Sequence, residues 1–134
     1  MKKMLICSAL ALSLSAMSGH ARQPLHENPT VKEGFYQLGL ADEVRKNCET
    51  ISPRMITAWS FLRGLQRYAL EAGYSEAEIE ELVENKAEKE KLRAQIRADL
   101  RKRGASPRTP EGYCTVGREE IAKDTAAGRL LRAR

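Results

Sequence analysis

Residues 52–79 read SPRMITAWSFLRGLQRYALEAGYSEAEI, and this stretch decides the fold class. Met55, Trp59, Leu62, Leu65, Ala69 and Ala72 recur at steps of three and four, the spacing of one helix face. Ile56, Phe61 and Tyr68 widen that face into the longest apolar stripe of the chain. At this spacing Trp59, Phe61, Tyr68 and Tyr74 read as core, with a small-molecule pocket as the sharper alternative. Ser52-Pro53 reads as an N-cap followed by proline at the first helical position. Gly73 is the usual left-handed stop, after which Tyr74 can pack back on the last turn. Ser75-Glu76-Ala77-Glu78 is a capping box, and it opens a short helix carrying Ile79, Leu82 and Val83.

The same logic extends in both directions. Upstream, Asn28-Pro29 starts a helix whose apolar face is Val31, Phe35, Leu38, Ala41, Val44 and Cys48, ending near Asn47. Downstream, Asn85-Lys86-Ala87-Glu88 repeats the capping device. It implies a break there, then a helix with Leu92, Ile96 and Leu100 that Gly104 ends. Thr109-Pro110 begins the last helix, with Cys114, Gly117, Ile121, Gly128 and Leu131 near one face. Gly34, Gly39, Gly64, Gly117 and Gly128 all fall inside these helices, which points to close helix–helix approach. No strand alternation, internal repeat or low-complexity tract is visible. The expectation is therefore an all-α domain, a small bundle of four to five helices spanning residues 30–134.

The first 21 residues differ from the rest. Lys2 and Lys3 precede an apolar run from Met4 to Met17, and Ser18-Gly19-His20-Ala21 offers small residues for a signal peptidase. The apolar run of 14 residues is shorter than the ~18 to 20 needed to span a bilayer. A cleavable signal peptide, residues 1–21, is expected, cut after Ala21 or alternatively after Ser18. Cys7 lies too near the start of the run to be a lipoprotein cysteine. Residues 22–29 hold two prolines and no periodicity, and read as a flexible leader. Removing Lys2 and Lys3 from 23 basic residues leaves 21 against 18 acidic ones, a net charge of +3.

Cys48 and Cys114 remain after such a cut. In an oxidising compartment an even pair bridges, and two cysteines allow one connectivity. A redox or metal pair would want Cys-x-x-Cys spacing or several histidines, and only His26 is left. The bridge would tie the terminal helices around the middle ones.

These landmarks together resemble a family of small exported bacterial proteins known only as domain of unknown function 5333. The likeness rests on Val44-Arg45-Lys46-Asn47-Cys48, Ile51-Ser52-Pro53-Arg54, Gly73-Tyr74-Ser75, and Tyr113-Cys114-Thr115-Val116-Gly117-Arg118-Glu119-Glu120-Ile121. The resemblance implies a helical, exported, disulfide-bonded protein and no particular activity.

Catalytic chemistry has little to work with. No folded histidine can serve a Ser-His or Cys-His pair, no Gly-rich phosphate loop occurs, and no zinc-type ligand spacing is present. Asp42-Glu43, Glu80-Glu81 and Glu119-Glu120 are adjacent on their helices, so their side chains diverge by ~100° and read as solvated faces. No cofactor and no metal are expected. Charge, by contrast, is segregated. Residues 71–90 carry eight acids and two bases, whereas residues 91–134 carry twelve bases and five acids. Part of this suits helix dipoles and four-residue ion pairs. The functional reading is an anionic-partner patch at Arg93, Arg97, Arg101, Lys102 and Arg103. No aromatic residue falls between Tyr74 and Tyr113, so base stacking has no platform and nucleic acid is not an expected partner.

The expected function is a non-enzymatic periplasmic or secreted binding module for an envelope protein or an anionic surface. A small chaperone or inhibitor-like protein using an apolar groove is the alternative, and an enzyme is the least supported class.

Overall fold

The Asn28 side chain accepts hydrogen bonds from the Thr30 and Val31 amides while Pro29 takes the first helical position, and this cap starts α1, Pro29–Asn47. The computed structural model describes residues 22–134. The expected signal peptide lies outside the described residues. After α1 come β1 (Ile51–Pro53), α2 (Met55–Glu71), α3 (Glu76–Glu84) and α4 (Lys86–Lys102). Then follow α5 (Glu111–Ala122), α6 (Ala126–Arg129) and β2 (Leu131–Ala133). Among the described residues there are thus six helices, the last of four residues, and one small sheet.

The helix signals at Ser75, Asn85, Gly73 and Gly104 act as expected. Ser75 and Glu78 form both bonds of the capping box that opens α3. Asn85 accepts from the Glu88 amide at the start of α4. Gly73 and Gly104 take φ of +92° and +84° and end α2 and α4. The amides of Tyr74 and Ala105 then reach back to Ala69 and Leu100. Each such turn drives the next residue, Tyr74 or Ala105, into the interior.

Helix α1 is the axis of the molecule: α2, α4, α5 and α6 all pack on it. Its C-terminal half supplies Leu40, Ala41, Val44 and Cys48 to the main core, with Ile96 and Leu100 from α4 and Val116 from α5. Its N-terminal half supplies Val31 to a second, smaller cluster with Leu25, Ala69 and Tyr74. Cys48 caps the end of α1 and Cys114 lies in the first turn of α5. Their Cα atoms are 5.1 Å apart and the two residues are joined as a disulfide. At a sequence separation of 66, the chain-entropy description assigns the bridge ~4 kcal/mol.

Four expectations are corrected. Ser52-Pro53 does not cap α2. Residues 51–53 pair antiparallel with β2, Ile51 opposite Ala133 and Pro53 opposite Leu131, and the Arg54 amide donates to the Leu130 carbonyl at 2.8 Å. Those bonds hold the chain extended until Met55, and a two-stranded ribbon is all edge, where proline is tolerated. The last helix is not continuous. Asp124, at φ +50°, turns the chain, and Thr125 caps α6 by accepting from the Gly128 amide. This folds Leu130 and Leu131 into the core. The count of four to five helices rises accordingly, and the fold is mostly helical rather than purely so. Finally, residues 22–28 are not a structureless leader. Arg22 pairs with Glu78 at 2.9 Å, the Tyr74 hydroxyl donates to the Gln23 carbonyl at 2.9 Å, and Leu25 is buried in a 3-10 turn.

The helical glycines explain the close packing. A Cβ at Gly34 would collide with Leu65, at Gly39 with Ile96, and at Gly117 with Val44 and Ile51. At Gly128 it would strike the backbone of Glu120, whereas at Gly64 it would meet nothing. Gly128→Ala is therefore expected to lower stability in urea unfolding by about 1–3 kcal/mol, since backbone must move. Gly64→Ala is expected to raise it by ~0.5–1 kcal/mol, because a mid-helix glycine is replaced without a clash. Equal effects at the two positions would contradict this packing.

Candidate functional site

Helix α2 carries more apolar residues than one face can bury. Its inner side, Ala58, Phe61, Leu65 and Ala69, turns toward the body of the protein, and only Ala69 is fully buried. The remaining apolar side chains face outward. Ile56 is 86% exposed, Met55 65% and Trp59 61%, with Leu62 and Leu70 also exposed. At 100° per residue these five fall within about 120° of helix surface, a continuous stripe. The expectation that Trp59 belongs to the core is thus corrected. The signal was in the sequence, because Met55 to Leu70 is apolar around far more than one stripe's width.

The stripe borders a groove. A cleft of about 400 Å³ opens between α1, α2 and α3, with Val31, Phe35, Leu62, Leu65 and Leu82 among its walls. A second cleft, of about 280 Å³, lies between α1, α3 and α4. The two share Val31, Phe35, Leu82 and Val83, so the apolar surface is continuous across four helices. His26 lines the second cleft and stands 3.8 Å from Glu27.

Charge around the stripe is unevenly satisfied. The Arg63 guanidinium lies 4.5 Å from the centre of the Trp59 ring, a cation–π contact that holds the indole against the helix. Among the described residues, Arg54 just before α2 and Arg63 and Arg67 within it have no carboxylate partner. On α3, Glu76, Glu80, Glu81 and Glu84 equally have no cation.

The basic patch on α4 is different. Arg93 pairs with Glu90 at 3.1 Å, Arg97 with the buried Glu43 at 3.3 Å, and Lys102 with Asp99 at 3.4 Å. Arg103 holds Glu120 at 2.7 Å and Glu119 at 3.1 Å. Only Arg101 of the five is without a carboxylate among the described residues. The adjacent acids therefore serve as ion-pair partners: Asp42 for Arg45 and Lys46, Glu43 for Arg97, and Glu119 with Glu120 for one arginine. Sequence spacing alone could not show Glu43 meeting Arg97, 54 positions away. Among the described residues no group of three or more His, Cys, Asp or Glu side chains is placed to hold a metal. Nor is any helix there long and apolar enough to cross a membrane.

The class this geometry defines is a disulfide-closed, mostly helical domain that presents one unpartnered apolar helix face. More particularly, the chain belongs to the family of unknown function DUF5333, whose model matches residues 23–132. Comparison with curated proteins and with solved structures gives no match.

The Tyr36 hydroxyl donates to Asp99 at 2.9 Å and so ties α1 to α4. Burial, then the bond to Asp99 and its negative charge, push the Tyr36 phenol up to about 12. The same bond holds Asp99 below the usual carboxylate range, against the effect of its partial desolvation. A phenol whose folded value is raised stabilises the fold fully below the unfolded value of ~10 and loses that contribution as pH climbs to the folded value. Tyr36→Phe is expected to cost about 1 kcal/mol at neutral pH. It should also remove the part of the alkaline stability loss that falls between pH ~10 and about 12. Identical alkaline profiles for the two proteins would refute this coupling.

Proposed function

We propose that this chain is a non-enzymatic exported binding module for another envelope protein, with the outer face of α2 as its contact surface. The observation that carries this reading is the exposure of Met55, Ile56 and Trp59 on one helix face. Each such side chain gains ~1.5–3 kcal/mol when fully buried, so water is a poor permanent partner for three together. Trp, Met and Arg are also the residues enriched in interface cores, and this face carries all three.

The partner's chemistry follows from the unpaired charges. It presents an apolar segment with carboxylates opposite Arg63 and Arg67, and cations opposite the glutamates of α3. An anionic lipid surface suits the arginines but is repelled by Glu76, Glu80, Glu81 and Glu84, which favours a protein. Export is supported by the N-terminal pattern and by the Cys48–Cys114 bridge, since such bridges persist in oxidising compartments. The chaperone-like alternative would use the same groove for many clients instead of one.

A photo-crosslinking residue at Ile56, in the full chain produced in its own cell, is expected to capture one dominant protein. Trp59→Asp should abolish that adduct, and Trp59→Ala should weaken binding of the purified partner by about tenfold or more. An adduct that persists in Trp59→Asp, or one made only of lipid, would overturn the assignment. The intact mass from the envelope fraction, alkylated without reductant, should start near Arg22 and be two hydrogens light. A full-length mass or two alkylated thiols would refute export.

A further inference from the structure

We infer that the cleft between the end of α1, the C-terminal half of α4 and the start of α5 is a binding site for an oxyanion. The ligand is a small molecule or polymer end bearing a carboxylate or phosphate group. This site lies apart from the α2 stripe and does not depend on it. The cleft has a volume of about 390 Å³, within the usual range for small-ligand sites. Its walls include Lys46, Arg97, Arg101, Ser106 and Tyr113, with Glu43 beneath.

The fold builds it from three turns of chain. Gly104 ends α4, buried Ala105 pins the exit, and the Ser106–Thr109 turn closes one wall. Arg97 and Arg101 stand four residues apart on α4 and so project to the same side. Glu43 is only 6% exposed and accepts from Nε and Nη2 of Arg97 at 3.4 and 3.3 Å, which fixes that guanidinium in place. Arg101 has no side-chain hydrogen bond or ion pair among the described residues, and neither has the Tyr113 hydroxyl. Tyr113 is 4% exposed, yet no fully buried side-chain polar atom lacks a partner, so its hydroxyl opens onto the cleft.

Three cations against one carboxylate line the cleft, and Asp42 just outside it pairs with Lys46. Glu43 is already matched by Arg97 and Lys46 by Asp42, which leaves the Arg101 fork and the Tyr113 hydroxyl for an incoming anion. A planar guanidinium meets a carboxylate or phosphate through two parallel hydrogen bonds, and the phenol adds a third donor. A negative group entering here would satisfy every donor the cleft leaves open.

The test is a nuclear magnetic resonance titration of the isotope-labelled protein, purified from the cell that makes it. The probes are inorganic phosphate and, separately, glutarate. Saturable shifts are expected at the Arg97 and Arg101 Nε–H signals and the Ser106 amide. The probe that binds tighter identifies the oxyanion class. Arg101→Glu, at an exposed position, should weaken binding about tenfold or more, and Tyr113→Phe should weaken it severalfold. Arg67→Glu makes the same charge change on α2 and should leave affinity within about twofold. No saturable response to either probe would overturn the proposal. So would equal losses in Arg101→Glu and Arg67→Glu, which would mean diffuse charge and not a site.

Discussion

The bond between Cys48 and Cys114 fixes where α1 ends relative to where α5 begins, and most of the core is built around that junction. Cys48 is itself buried, beside Val44, Ile51 and Val116. Immediately after it the chain cannot continue α1, and residues 51–53 run out as a strand toward the far end of the sequence. The β1–β2 ribbon and the bridge thus close the same corner, one by hydrogen bonds and one covalently. A domain of about this size buries a modest fraction of its surface, so a covalent closure is a large share of its margin. Everything between the cysteines, α2 to α4, is a long excursion that returns to this corner.

Legibility in the sequence followed the range of the physics involved. Caps and stops are local: Asn28, Ser75, Asn85, Gly73 and Gly104 act through bonds spanning two to five positions, and each could be read directly. The cysteine pairing was readable because, with Cys7 set aside in the N-terminal apolar run, Cys48 and Cys114 are the two left to pair. The three-residue strands were not, since alternation over three positions is no signal and their partner lies about eighty residues off. The break at Asp124 was hidden for the same reason. What favours it is the packing of Gly128 on the Glu120 backbone, a contact that exists only after the chain has turned. Residues 22–28 look structureless until Tyr74 and Glu78 are brought beside them.

For the candidate surfaces the outcome was mixed. The stripe on α2 was found, but its direction was not, because periodicity shows that a helix has an apolar face without showing what covers it. The charge segregation was found as well. Its meaning changed once the acids of α1 and α5 came up against the bases of α4: Glu43, Glu119 and Glu120 take up Arg97 and Arg103. Beside the two candidate surfaces, the charges without an ion-pair partner among the described residues include Arg63 and Arg67 on α2, four glutamates on α3, and Arg101.

The bridge also has a topological effect. Its two sulfurs bracket α2, α3 and α4 completely. The Gly73 turn between α2 and α3 is exposed, the kind of place where a protease cuts. One cut there would open the backbone but release nothing. The piece bearing α1 and the apolar stripe would stay covalently joined to the piece bearing α4 and α5. The nicked molecule would gain one water and otherwise stay a single covalent unit until the bridge is reduced.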